Sequence, residues 1–207
     1  MAHPIFARFY GTYGSAAEKA GAGAHRAELL ADLNGKVIEV GVGSGLCFSH
    51  YPASVTEVLA VEPEPHLRQL AEQAAHGAPV PIRVVEGIAE RLPADDGSFD
   101  AAVLSLVLCS VPDQRRALEE VHRVLKSGGQ LRFYEHVRSE EPRRARLQDR
   151  VDWIWPHLLG GCHTNRDTAV AIADAGFRIE HSRRFEFRPC ALSAPVAPHI
   201  IGEAIRL

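Results

Sequence analysis

The segment Glu39-Val40-Gly41-Val42-Gly43-Ser44-Gly45-Leu46 is the first stretch whose residue types and spacing could do chemistry. Three alternate glycines permit a tight turn and let a ligand approach the backbone. Glu39 places a carboxylate beside them, able to attract a cationic group. A dinucleotide fingerprint, GxGxxG, would need glycine at position 46, where Leu46 stands, so a nicotinamide cofactor is disfavoured. Further on, Val61-Glu62-Pro63 supplies a carboxylate about 20 positions past the loop, placed to accept from both hydroxyls of a ribose.

The elements that must position these groups alternate between strand and helix. Lys36–Val40, Val55–Val61, Pro81–Glu86, Phe99–Leu106 and Gln130–Val137 read as strands. Phe99–Leu106 is nearly unbroken apolar, as a strand buried on both faces should be. The turn after Lys36–Val40 is expected to lead into a helix. Glu64–His76, Gln114–Leu125, Arg143–Leu159 and Asp167–Ala175 read as helices, with Ser127-Gly128-Gly129 as the stop of the second. Arg178–Phe187 and Ile200–Arg206 form a closing β-pair. Pro4–Tyr13 and Ala24–Leu33 are two further helices at the start, the second ended by Asn34-Gly35. This order predicts a parallel sheet with helices on both faces, and ligands of such sheets bind outside the carboxyl ends of the strands.

Composition bounds the function. The chain has 207 residues, 46% of them apolar and 24% charged, which suits one globular domain and excludes a disordered chain. The formal net charge of −3 argues against nucleic-acid binding through bulk electrostatics. The uncharged runs Ala101–Pro112 and Pro189–Gly202 are too short or too proline-rich to span a bilayer, which needs about 20 apolar residues. Met1–Arg8 has no apolar stretch, so no secretory signal is expected. Cys47, Cys109, Cys162 and Cys190 show no CxxC pairing and read as reduced thiols of a cytoplasmic protein.

The third strand ends in Glu86-Gly87-Ile88-Ala89-Glu90-Arg91-Leu92-Pro93, and Ser98-Phe99-Asp100 turns into the fourth. With EVGVGSG, VEP, GIAERLP, SFDAAVLSLVL and RVLKSGG in order, residues 35–137 resemble the class I S-adenosylmethionine-dependent methyltransferases. The resemblance implies a Rossmann-like seven-stranded, mostly parallel sheet with an antiparallel closing strand. It implies a single domain over 1–207: N-terminal lid helices in 1–34, a cofactor core in 35–137 and substrate-side elements in 138–207. It further implies that Glu39, Gly41, Gly43, Gly45 and Leu46 hold the methionyl part of S-adenosylmethionine, and Glu62 with Pro63 the ribose. Ile88, Ala89 and Glu90 would border the adenine, and Ser105–Leu106 would lie beneath the cofactor. Many relatives carry Asp or Asn where Ile88 stands, to meet the adenine amino group. Isoleucine cannot accept that bond, so backbone groups, Glu90 or a water must take its place.

The C-terminal third bears on the substrate. Tyr134-Glu135-His136-Val137, the segment from Asp152 to Arg166, and Val107–Val111 resemble alkyl-thiol S-methyltransferases of animal membranes and their small bacterial relatives. The N-terminal membrane anchor of those animal proteins has no counterpart here, so membrane residence is not expected to carry over. The core also resembles quinone C-methyltransferases and phosphatidylethanolamine N-methyltransferases, which leaves lipid, quinone or natural-product methylation as an alternative, beside a non-catalytic cofactor-binding protein. Thiols need the least catalytic help, because their free pKa lies near 8.5. His136, ending the fifth strand, is the candidate general base, against a role in loop structure alone. Trp153, His157 and His163 are candidate substrate contacts, with Tyr10 and Tyr13 in a lid closing over the site. The spacing of His157, Cys162 and His163 fits no standard zinc pattern, so no metal is expected. The arginines at 138, 143, 144, 146 and 150 read as a solvated helix face, with an anionic substrate or lipid headgroup as the alternative.

Overall fold

A computed structural model describes residues 17–207. Seven strands form one sheet in the order β3-β2-β1-β4-β5-β7-β6. They are β1 (Gly35–Val40), β2 (Val55–Val61), β3 (Ile82–Val85), β4 (Phe99–Ser105), β5 (Leu125–His136), β6 (Phe177–Glu186) and β7 (Pro198–Arg206). The first five run parallel, and β7 inserts antiparallel between β5 and β6. The order reverses between β1 and β4, so the ligand crevice opens there, at the carboxyl ends of the strands.

Both faces of the sheet are covered, which explains the apolar runs. Ile38, Val40, Ala102, Leu104, Leu131 and Phe133 face one layer, packed with Leu118, Val121 and Val124 of α3 (Gln114–Val124). The alternate residues Val37, Ala101, Val103 and Tyr134 face the other. That layer holds Leu29 and Leu30 of α1 (Gly23–Leu30) and Ala71 of α2 (Pro65–Ala75). The period-2 alternation of strand side chains thus feeds two cores at once. Side chains start two of these helices, α2 and α3: Glu64 accepts the Leu67 N–H at 2.7 Å and Asp113 the Arg116 N–H at 2.9 Å.

Four expectations need correction. The glycine loop does not run into an α-helix; it leads to a short 3₁₀ turn, Phe48–His50, after which Tyr51 is extended before Pro52. Ser127-Gly128-Gly129 does not stop α3, which ends at Val124; those residues lie within β5. The helix expected over 143–159 is two, α4 (Pro142–Val151) and α5 (Trp155–Leu158). Asp152 breaks it by turning to the returning chain, accepting the Thr164 N–H at 2.6 Å and facing His163 Nδ1 at 2.8 Å. The helix expected over 24–33 ends at Leu30, ahead of Asn34-Gly35, and a π-helical turn, Glu18–Ala22, precedes it. α6 (Thr168–Asp174) then leads into the closing β-pair. The expected helix 4–13, with Tyr10 and Tyr13, lies outside the described residues.

Candidate active site

The glycine loop is tied to β2 before any ligand arrives. Gly41 and Val42 donate their N–H groups to the Val61 carbonyl at 2.7 and 3.2 Å. Gly43 donates to Glu62 Oε2 at 2.8 Å, and Glu64 donates to Glu62 Oε1 at 2.9 Å. Gly41 and Gly43 have φ of +68° and +57°, the left-handed region that glycine enters without strain. A Cβ on Gly41 would stand 2.8 Å from Val107 Cγ2, so the loop is also pressed against the segment after β4.

Glu39 and Glu62 are both buried carboxylates. Glu39 lies beneath the loop, where Tyr51 donates to its Oε2 at 2.8 Å. Burial pushes its pKa up to about 7, against the lowering effect of Tyr51, Cys47 and Arg26. Burial also raises the Glu62 carboxyl, partly offset by the two backbone N–H groups it accepts. Arg68 fixes the turn after Glu62 by donating to the Glu62 and Pro63 carbonyls at 3.0 and 3.2 Å.

At the end of β3, Ile88 is 45% exposed and Ala89 is buried. Ile88 pairs with Arg91 in an isolated bridge, and Glu90 Oε1 lies 3.4 Å from the Asp113 N–H at the start of α3. Ser105 ends β4, and Leu106 follows with φ +60°. A left-handed leucine is strained, and it is held by its N–H bond to the Tyr134 carbonyl at 2.7 Å. Leu46 is half-buried within the loop.

The carboxyl ends of β4 and β5 meet through Glu135. Its Oε1 accepts the N–H groups of Val107 and Leu108 at 2.9 and 3.0 Å, and its Oε2 that of Cys109 at 3.1 Å. This carboxylate is fully enclosed and fully occupied by the loop after β4. Beside it, His136 Nδ1 lies 3.2 Å from Cys162 Sγ. The Cys109 thiol, and after it the His136 imidazole, hold the Cys162 thiol well below its ordinary range, while Cys162 and burial push the Cys109 thiol well up; against burial, Cys162 and then Glu135 shift His136 up. The His163 N–H donates to the Cys109 carbonyl at 2.7 Å, which stitches the two cysteine-bearing loops together.

The structure distributes the C-terminal candidates unevenly. His136 ends β5, beside Cys162. Trp153 is 75% exposed and lies on the turn between α4 and α5; Trp155 is the tryptophan packed against Cys109, Cys162 and Val196. His157 is exposed, and His163 is turned to Asp152. The three residues weighed as a metal set, His157, Cys162 and His163, therefore do not converge. Cys109 and Glu135 entered the sequence reading only within the segments Val107–Val111 and Tyr134–Val137, with no structural role assigned to either. Only the end-of-strand position of each pointed to them.

A protein-family model described as "Methyltransferase domain" matches residues 38–133. The chain is 36% identical over 175 residues to "Thiol S-methyltransferase TMT1B" of Rattus norvegicus, covering 82% of this chain and 70% of that protein. Among solved structures, a putative methyltransferase of Bacillus halodurans C-125 superposes with a TM-score of 0.73 at 17% identity, over 89% of this chain and 98% of that one. A geranyl diphosphate methyltransferase in complex with S-adenosylmethionine gives 0.70 at 15% identity, over 91% and 85%. The chain belongs to the class I S-adenosylmethionine-dependent methyltransferases. It is an enzyme of that class, with S-adenosylmethionine as cofactor. Its similarity to the thiol S-methyltransferase extends well past residues 38–133. Among the described residues, no helix is long and apolar enough to cross a membrane.

Proposed function

We propose that this enzyme methylates a small apolar thiol to a methyl thioether. The observation that carries the reading is the convergence of Cys109, His136 and Cys162 at the carboxyl ends of β4 and β5, beside the cofactor crevice. The similarity to TMT1B supports it, because it runs into the segments that cover that edge. The transfer is an in-line displacement: the thiolate sulfur attacks the methyl carbon, and the sulfonium C–S bond breaks with its electron pair left on S-adenosylhomocysteine. The leaving thioether is already good, so positioning and removal of the thiol proton are the tasks left to the protein.

In this reading Gly41, Gly43, Gly45 and Leu46 cradle the methionyl part over Glu39, and Glu62 with Pro63 takes the ribose. Ile88, Ala89 and Glu90 border the adenine, while Ser105 and the strained Leu106 lie under the cofactor. The site that takes up the thiol proton is the cluster at His136, the candidate base. Trp155, more than Trp153, supplies its apolar wall. All four cysteines are unpaired, which suits a reducing compartment such as the cytoplasm.

Transfer of isotopically labelled methyl from S-adenosylmethionine to matched thiols, phenols and amines tests the reading. Labelled thioether from alkyl or aryl thiols, well ahead of the phenol and amine products, is expected. Label found only in lipids, quinones or phenols would overturn it in favour of O-, N- or C-methylation.

A further inference from the structure

Three soft or borderline ligands meet where the sequence shows no pattern for them. Cys109 Sγ, His136 Nδ1 or Nε2, and Cys162 Sγ lie within 4.8 Å of one another. Cys109 is 1% exposed and Cys162 8%, and Trp155 and Val196 close the apolar side. Each ligand is fixed from behind. The Cys109 N–H is held by Glu135 and its carbonyl by His163, the Cys162 N–H donates to the Leu159 carbonyl at 3.2 Å, and the His136 ring lies edge-on to His199 with centroids 4.7 Å apart. Arg166, donating to the Leu108 carbonyl, stands beside both cysteines and Glu135.

We infer that Cys109, His136 and Cys162 bind one zinc ion, with the fourth position open to the substrate thiol. This deepens the thiol reading and rests on it for the fourth ligand. A tetrahedral ion with Zn–S of about 2.3 Å and Zn–N of about 2.0 Å needs ligand atoms about 3.5–3.8 Å apart. The His136–Cys162 distance of 3.2 Å is already close to that, and no pair need close by more than about 1 Å, within side-chain rotation. Three protein ligands with an open position is the arrangement of catalytic zinc, and two thiolates with one neutral imidazole neutralise the ion. Arg166 is left to balance the charge of Glu135. A bare Cys109–Cys162 disulfide would leave the imidazole without a function, and three converging ligands argue against it.

The chemistry balances without another reagent. The thiol displaces water from the ion and its proton leaves to solvent. The zinc-held sulfur then attacks the methyl carbon, the sulfonium C–S bond breaks toward S-adenosylhomocysteine, and the neutral thioether departs. With the ion bound, His136 serves as a ligand in place of the base role proposed above, and the ion lowers the thiol pKa.

The test uses the full chain, stripped by chelator under reductant and reloaded with Zn²⁺ or Co²⁺. One equivalent of Zn²⁺ per chain is expected. Co²⁺ should show thiolate charge-transfer absorption and intense tetrahedral d–d bands, and those bands should shift on adding an aryl thiol but not the matched phenol. Cys162→Ser and Cys109→Ser should weaken Zn²⁺ binding at least 100-fold, while Cys190→Ser, at an exposed position, should not. The cobalt spectrum of the unaltered protein keeps the test valid if a cysteine variant fails to fold. Sub-stoichiometric metal, octahedral cobalt, or a Cys109–Cys162 disulfide in place of metal would overturn the inference; so would bands indifferent to thiols. Metal-free protein that methylates thiols at full rate overturns the zinc site and leaves the thiol reading intact. A loaded site whose cobalt bands respond to thiols, in a protein that methylates only phenols, defeats the thiol reading alone.

Discussion

The Gly43 N–H donates to Glu62 Oε2 at 2.8 Å, joining the glycine loop to the carboxylate at the end of β2 across 19 residues of sequence. The two parts of the proposed cofactor cradle are therefore one unit. Glu62→Ala should remove the ribose acceptor and also leave the Gly43 and Glu64 N–H groups without their partner. The expected loss is about 2–4 kcal/mol in S-adenosylhomocysteine affinity, since hydrogen bonds to a charged group contribute about 1.5–3 each and do not add fully. Calorimetry showing less than a tenfold change would reduce Glu62 to a helix-start residue.

Gly43→Val should abolish cofactor binding and lower the melting temperature. At φ +57° a β-branched side chain is strained by about 1–3 kcal/mol, apart from any clash with the ligand. Binding at wild-type affinity in the variant would contradict the placement of the loop.

Glu39 should make cofactor binding pH-dependent. Its folded pKa of about 7 lies above the ordinary 4.5, so the free protein holds a proton there that the unfolded chain loses earlier. This contribution to stability is fully present below about pH 4.5 and is lost as pH rises through about 7. The cationic amino group of the cofactor favours the carboxylate, so affinity should rise with pH up to about 7 and then level off. Calorimetry in buffers of different ionisation heat should read nearly one proton released per cofactor at about pH 6. Glu39→Gln should flatten this dependence; a profile unchanged in that variant would separate Glu39 from the cofactor.

Glu135→Ala should destabilise the fold by about 3 kcal/mol or more, because it strands three backbone N–H groups that each cost about 1–3 when left unsatisfied. Urea unfolding measures this directly. A change below about 1 kcal/mol would mean that water replaces the carboxylate and the loop after β4 is not held by it.

The sheet was legible because burial on both faces leaves continuous apolar runs, such as Phe99–Leu106 for β4, and because Gly41 to Gly45 must sit in a turn. Glu62 could be found by its distance from that loop. The 3₁₀ turn after the loop was missed because Pro52 acts on its neighbours without changing the apolar pattern. The break at Asp152 was missed for a different reason: its cause is a long-range bond to Thr164. Cys109, His136 and Cys162 stand at successive intervals of 27 and 26 residues, which match no local motif; the parallel register of β4 and β5 and the His163 bond to the Cys109 carbonyl bring their loops together. Trp153 and Trp155 are equivalent in composition, and the turn before α5 alone decides that the second packs inward.

The claim at the centre of this account is that the methyl end of the cofactor faces the cluster of Cys109, His136 and Cys162. A crystal structure with S-adenosylhomocysteine measures it most directly. The account predicts the ribose at Glu62, the methionyl group over Gly41–Gly45, and the thioether sulfur aimed at the cluster across a gap of about one substrate sulfur, with reacting atoms about 3–3.5 Å apart once a thiol is present. A sulfur turned away from His136, with another residue set lining the space beyond it, would contradict the account.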